Sequence, residues 1–170
     1  SITCATASHA ILNAIAWLES GMATSFIAGG SEAPLTDFTI AQMQALRIYS
    51  RGSNRYPCKA LDLNKSQNSM ILGEAAACFL LSKENKNSLA KITGYGSAIE
   101  RLETATSVTA TGDCLQESMR QAIQHIRPED VDAMITHAPG TIKGDKAEFV
   151  AIQNVLGGQY PHLSPLLKQT

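Results

Sequence analysis

Hydrophobic residues recur along this chain in stretches that switch between helical and extended spacing. Apolar positions three and four residues apart predict helices, and short continuous apolar runs between turn residues predict strands. The predicted helices span residues 5–20, 38–48, 114–126 and 144–156; the predicted strands span 25–30, 75–82, 89–95 and 131–136; and 159–170 is expected to lead into a further strand. This alternation favours an α/β fold with a sheet covered on both faces.

Residues between and at the ends of these segments predict where they stop. Gly21 and Gly157 each follow an apolar stretch and are expected to end a helix. Asp113 is expected to be the N-cap of the helix that follows it. Residues 50–69 are polar, contain Gly, Pro and Asn, and predict a long loop.

The apolar pattern also predicts which segments are buried. Helix 5–20 is apolar nearly all round its circumference, which is typical of a buried helix. The strands at 25–30 and 75–82 are expected to be buried too, with Cys78 as a small core residue.

Composition narrows the class of protein. The chain has 170 residues, enough for a hydrophobic core, and its net charge of −1 suggests neither a nucleic-acid binder nor a membrane-surface binder. The apolar runs are too short to span a bilayer. The four cysteines show no C-x-x-C spacing, so a metal site is not expected, and their low number fits a reducing cytoplasm.

Cys4 is the first candidate for chemistry because it comes directly before the helix at 5–20. The free N–H groups of a helix N-terminus favour a thiolate and can hold a developing oxyanion. An inert buried cysteine is the alternative that the residue alone leaves open. His9 lies more than one turn further on, so it is expected to be a buried, hydrogen-bonded histidine and not a base for Cys4.

His137 is the second candidate because it follows the apolar run of strand 131–136, at the edge where α/β sheets bind ligands. A Pro/Gly turn and a helix come next. Asp145 and Glu148 are placed in the first turn of that helix, where acidic side chains complement the helix dipole. Lys168 stands near the end of the chain, and spacing alone does not distinguish it from a solvated lysine.

Taken together, these segments resemble the β-ketoacyl-acyl-carrier-protein synthase family in order and spacing. The matching segments are Cys4–His9, Phe26–Ala33, Leu72–Ala77, Ile92–Gly96, His137–Glu148 and Lys168. The resemblance implies a thiolase-like αβαβα sandwich of two similar halves. Residues 1–85 would be the end of the first half, and residues 86–170 the start of the second.

The resemblance also implies a mechanism. Cys4 would carry an acyl group as a thioester, and His137 would stabilise the enolate that a malonyl thioester forms when it loses carbon dioxide. Lys168, with a carboxylate, would order a second catalytic histidine, and Asp145 and Glu148 would be the acidic residues of that supporting network. The implied partners are an acyl carrier protein and a second synthase subunit, identical or related, that pairs across strand 25–30; no metal, redox cofactor, nucleic acid or membrane is implied.

The chain departs from the family pattern at several points. Ala138-Pro139 stands where the family has Gly-Thr, and Asp62–Met70 lacks the family's Arg-Asp-Gly-Phe, which suggests a divergent branch. The family also continues past the lysine to a second catalytic histidine, so the chain is expected to be an internal piece, inactive by itself.

Three other interpretations stay open. A non-catalytic, chain-length-controlling partner has the same fold, but such partners usually lack the cysteine that Cys4 supplies. An inactive fragment that only associates is a second possibility. A hydrolase with Cys4, His137 and Asp145 as a triad is a third, although the order of motifs fits a synthase better.

Overall fold

A computed structural model of the chain describes residues 3–84, 87–100, 108–158 and 162–165. Its helices are α1 (Thr6–Glu19), α2 (Asp37–Ala45), α3 (Asp113–Ala122) and α4 (Ile142–Leu156), and its strands are β1 (Ser25–Glu32), β2 (Ala75–Ser82), β3 (Ala133–Thr136) and β4 (His162–Pro165). The predicted alternation of helices and strands is therefore confirmed for most of the chain. None of the described helices is both long enough and apolar enough to cross a membrane.

The chain folds into two compact units, Ser1–Leu35 with Gly73–Ile92 and Thr36–Leu72 with Thr93–Thr170. The division into 1–85 and 86–170 follows the order of the family's motifs, not compactness, and stays a prediction.

The first unit is an antiparallel pair of strands with a helix packed on it. β1 and β2 pair along their whole lengths, with Ser25 opposite Ser82 and Glu32 opposite Ala75. α1 packs against β1, and Trp17 and Phe26 meet edge to face there, with ring centroids 5.9 Å apart. A short core results, with Ala14, Leu18 and Ala28 buried.

The prediction that this unit is buried throughout is wrong. Phe79 and Leu80 of β2 are 56% and 71% exposed, and Trp17 of α1 is 49% exposed. Cys78 is exposed as well, so it is not a core residue. Neighbouring residues of a strand point to opposite faces, so the exposure of both Phe79 and Leu80 shows that neither face of β2 is covered there, because α1 packs mainly on β1.

The second unit is built around α4. β3 and β4 form a parallel pair, with Ala133 opposite His162, and α3 packs against α4. The Thr141 hydroxyl caps the start of α4 by accepting a hydrogen bond from the Gly144 N–H at 3.2 Å. Gly157, at a φ of 63°, ends the helix as predicted. The apolar part of the buried face of α4 consists of Ala147, Ala151, Ile152 and Leu156.

The strand predicted over 89–95 is wrong for the described residues, which show no strand there. The chain from Gly94 to Ser97 lies beside α3 instead. The Ser97 N–H donates to Gln121 Oε1 at 3.0 Å, and a Cβ placed on Gly94 would collide with the Ala122 carbonyl. Leu89 is fully exposed and Ile92 is 48% exposed, so the apolar run has the composition of a buried strand without being buried, which explains the error.

The N-cap of α3 is also different from the prediction. Gly112 occupies this position at a φ of 60°, and Asp113 is the first helical residue. A Cβ on Gly112 would lie 2.8 Å from the Ala147 carbonyl oxygen, so glycine allows the start of α3 to approach α4 closely. The Asp113 carboxylate accepts a hydrogen bond from the Thr111 hydroxyl at 2.6 Å.

The close approach of β1 and β2 depends on Gly29. A Cβ at this position would collide with the Ala77 carbonyl and lie 2.6 Å from the Cys78 Cα. We predict that Gly29→Ala lowers the free energy of unfolding by about 1–3 kcal/mol, measured by urea denaturation. The matched control is Gly73→Ala, since a Cβ on Gly73 meets nothing within 4 Å; equal stability of the two variants would contradict the prediction.

Candidate active site

Cys4 lies in the 3₁₀ turn Thr3–Ala5 that leads into α1, and its side chain is exposed. The first turn of α1 contains no acidic residue. The partial positive charge at the helix N-terminus is therefore not offset locally, and it favours a negative charge on a nearby atom. The thiol is accessible, and Cys4 lies directly before the N-terminus of α1.

His9 does not share this setting. It is partly buried, and its Nδ1 donates a hydrogen bond to the Ala5 carbonyl, four residues earlier, at 3.1 Å. The predicted hydrogen bond of His9 is confirmed, whereas its burial is only partial.

His137 directly follows β3 and is exposed. The backbone after it has an unusual conformation: Ala138, with φ at 31°, and Gly140, with φ at 79°, both lie in the left-handed region. Both residues are buried. A non-glycine residue there is strained by about 1–3 kcal/mol, so the turn must be held by its surroundings. Ala138 is one of the two residues that replace the family's Gly-Thr pair.

Glu148 holds the first part of this turn. Its carboxylate accepts hydrogen bonds from the His137 N–H at 2.8 Å and from the Ala138 N–H at 2.7 Å, one on each oxygen. The glutamate is itself 9% exposed. It lies in the second turn of α4, not the first, and it binds the His137 turn instead of acting as a solvated dipole cap.

Asp145 holds the second part of the turn from one helical turn earlier. Its Oδ1 accepts a hydrogen bond from the Gly140 N–H at 2.9 Å, and its Oδ2 accepts from the Leu61 N–H at 2.8 Å and from the Lys65 ammonium at 2.6 Å. Asp145 is fully buried, and the Lys65 side chain is only 3% exposed. The expected dipole cap is therefore a buried ion pair that joins α4, the His137 turn and the loop before β2.

Ser69, from the same loop, holds the carbonyl side of Gly140. Its hydroxyl and its N–H both donate to the Gly140 carbonyl, each at 2.9 Å. The Asn68 amide oxygen accepts from the Ile142 N–H at 3.0 Å. The backbone between His137 and α4 is thus fixed by side chains from two directions.

The structure brings Asp145 and Glu148 together with the backbone that carries His137. Cys4 belongs to the other compact unit, and Lys168 lies outside the described residues. Lys65 and Ser69 were missed from sequence because they sit in a polar loop without periodicity. Within the described ranges, no group of three His, Cys, Asp or Glu side chains could hold a metal ion, and a metal-free site stays a prediction.

Cys114 contrasts with Cys4. Burial, together with the hydrogen bond to Glu100 and the charge of that carboxylate, raises the pKa of the Cys114 thiol to about 11. The thiol hydrogen bond from Cys114 in turn lowers the pKa of Glu100. Cys114 is therefore a protonated, structural cysteine at neutral pH.

We predict that iodoacetamide at pH 8 alkylates Cys114 about a hundredfold more slowly than an ordinary thiol, because its thiolate forms only as the pH approaches 11. Glu100→Gln removes the neighbouring charge, lowers the pKa of the thiol and should speed the reaction several-fold, while exposed Cys78 serves as the internal control. Peptide mass spectrometry measures each site. Equal rates at Cys114 and Cys78 would contradict the assignment.

Comparison with known families matches nearly the whole chain. The model described as "Beta-ketoacyl synthase, N-terminal domain" matches residues 2–87, and the model described as "Beta-ketoacyl synthase, C-terminal domain" matches residues 89–167.

Individual relatives give the same answer. The chain is 28% identical over 169 residues to "3-oxoacyl-[acyl-carrier-protein] synthase 2" of Staphylococcus aureus, which covers 94% of this chain and 41% of that protein. One similar solved structure is a type II PKS acyl-carrier protein in complex with its ketosynthase. The alignment covers 96% of this chain and 42% of the solved chain, with a TM-score of 0.80 and 26% identity. A ketosynthase in complex with its chain length factor from Xenorhabdus doucetiae aligns with 91% of this chain and 37% of its own, with a TM-score of 0.74 and 21% identity, which shows the fold alone.

The first curated relatives show how much of such a protein the chain represents. It spans 36% to 41% of their length. The α/β, thiolase-like fold predicted from sequence is confirmed by the solved ketosynthases. With family models matched on both halves of its length, the chain belongs to the β-ketoacyl synthase family.

Proposed function

We propose that this chain carries the acyl-accepting cysteine and the first catalytic histidine of a 3-oxoacyl-acyl-carrier-protein synthase. The observation that supports this most is the exposed Cys4 at the N-terminus of α1, within the segment that matches the family's N-terminal domain. The fixed turn that presents His137, within the segment that matches the C-terminal domain, supports the second assignment.

The first step is acyl transfer. The Cys4 thiolate attacks the carbonyl of an acyl thioester and forms a C–S bond to it. The C–S bond to the carrier then breaks, and the carrier thiolate leaves and takes up a proton. Backbone N–H groups at the start of α1 are suited to stabilise the oxyanion of the tetrahedral intermediate.

The second step is decarboxylative condensation. The bond from the malonyl carbon to its carboxylate breaks, carbon dioxide leaves, and the electron pair forms an enolate whose oxygen accepts a hydrogen bond from the His137 imidazole. The enolate carbon attacks the acyl carbonyl, a carbon–carbon bond forms, and Cys4 leaves as the thiolate. Asp145 and Glu148 hold the His137 turn, and Lys168 keeps the supporting role that the resemblance implies.

The proposed partners follow from the same assignment. An acyl carrier protein would deliver both thioesters; a solved ketosynthase similar to this chain is in complex with its acyl-carrier protein. A second subunit, identical or related, would pair at β1, where Ile27 is 70% exposed. A cytoplasmic location stays a prediction from the cysteine content.

The test is intact mass spectrometry of the protein that carries this sequence, before and after incubation with an acyl thioester. We expect a covalent acyl adduct that is lost in Cys4→Ala and kept in Cys78→Ala, which removes another exposed thiol. His137→Ala should still acylate but condense about 10²–10⁴-fold more slowly.

Each other outcome favours one of the alternatives. Absence of an adduct would favour the non-catalytic partner, and an adduct that survives in Cys4→Ala would contradict the assignment of the nucleophile. A protein of 18.1 kDa that acylates without condensing would favour the inactive fragment. Release of free acid from the acyl thioester, without condensation, would favour the hydrolase.

A further inference from the structure

The loop at residues 50–69, before β2, binds one buried carboxylate, that of Asp145. The Lys65 ammonium has three N–H donors and meets three oxygens: Asp145 Oδ2 at 2.6 Å, the Asp62 carbonyl at 3.0 Å and the Lys59 carbonyl at 3.3 Å. A lysine this deeply buried is stable only when its charge is paired and its donors are used.

The backbone of the same loop also binds this carboxylate. Leu61 lies at a φ of 58°, a strained conformation for a leucine, and its N–H donates to the Asp145 oxygen that Lys65 also binds. Strain of this kind persists where surrounding contacts fix it, often at functional sites. The Leu61 N–H and the Lys65 ammonium therefore form one binding site for the Asp145 side chain.

The ion pair between Lys65 and Asp145 is linked to His137 through the backbone of residues 137–140. The other oxygen of Asp145 holds the Gly140 N–H, and Ser69, four residues after Lys65, holds the Gly140 carbonyl. Gly140 is three residues from His137, at the end of a turn that is strained at Ala138. If the charge of Lys65 were removed, Asp145 would be a buried carboxylate without a counter-charge, and this anchor of the turn would be lost.

We propose that Lys65 is a positioning residue that sets the orientation of His137 for the condensation step by fixing the Asp145 carboxylate against Gly140. This inference rests on the proposed function of His137. It assigns no contact with substrate to Lys65, whose three donors are all used inside the protein.

The test separates the two chemical steps in the intact protein. We expect Lys65→Met to acylate Cys4 at a rate within about twofold of the unmodified protein, and to lower kcat for condensation about tenfold or more with little change in KM, because small misplacement of a catalytic group is costly. Lys65→Arg, which keeps the charge, should recover most of kcat. The matched control is Lys59→Met, since the Lys59 side chain is exposed and only its backbone joins the contact.

A readout that does not depend on turnover is the NMR signal of the His137 ring. It should shift in Lys65→Met, return towards its original position in Lys65→Arg, and stay unchanged in Lys59→Met. Equal loss of acylation and condensation in Lys65→Met, or a variant indistinguishable from Lys59→Met in kcat and in the ring signal, would overturn the proposal.

Two further outcomes are distinguishable. If the unmodified protein forms no acyl-Cys4, the proposed function fails, and an unmoved His137 signal in Lys65→Met would overturn the positioning role as well. If Lys65→Met does not fold, the double variant Lys65→Met/Asp145→Asn removes both buried charges together; it should remain as slow in condensation as expected for the single variant, and recovery of the original kcat would overturn the proposal.

Discussion

The buried carboxylate of Asp145 is the contact on which the second compact unit depends, because three separate segments meet there. It joins the start of α4, the turn after β3 and the loop before β2 through one residue. Burial of a charge without compensation is costly, and here two N–H groups and one ammonium compensate it. Burial of the two ions costs free energy. The contacts that compensate this cost also fix the backbone at the position where chemistry is proposed.

The two acidic residues of α4 divide this task between successive turns of the helix. Asp145 fixes Gly140, and Glu148, three residues later on the same face, fixes the N–H groups of His137 and Ala138. The rest of that face is apolar and packs into the core of the unit. Because the helix is anchored by its apolar part, its polar end can hold a strained turn in one conformation.

The sequence was sufficient for elements whose pattern is local. α4 and its glycine end, the extent of β2 and the position of His137 after a strand all follow from spacing and turn residues. The segment after β2 could not be assigned in this way, since its apolar run has the composition of a strand although Leu89 and Ile92 are exposed. Burial was predicted wrongly for Phe79 and Cys78 because an apolar run reveals that a surface needs a partner, not whether one is present.

The candidate site was also predictable only in part, because some of its contacts join residues that are far apart in the sequence. Cys4 and His137 are candidates by their positions before a helix and after a strand, and the resemblance adds their roles. For Asp145 and Glu148, spacing alone suggested helix-dipole caps. The ion pair between Lys65 and Asp145 joins residues 80 positions apart, and no local pattern in a polar loop indicates such a contact. A long-range pair of this kind becomes visible only when the fold places its two segments together.

Glu148 holds the backbone of the His137 turn through two hydrogen bonds, and amide hydrogen exchange of the intact protein measures their effect. We expect the His137 and Ala138 amides to exchange about a hundredfold or more slowly than free backbone, and Glu148→Gln, with one acceptor fewer, to remove the protection of at least one of them. Glu129→Gln, on an exposed glutamate, is the control and should change neither. Exchange of both amides at the rate of unprotected backbone in the unmodified protein would show that Glu148 does not hold the His137 turn.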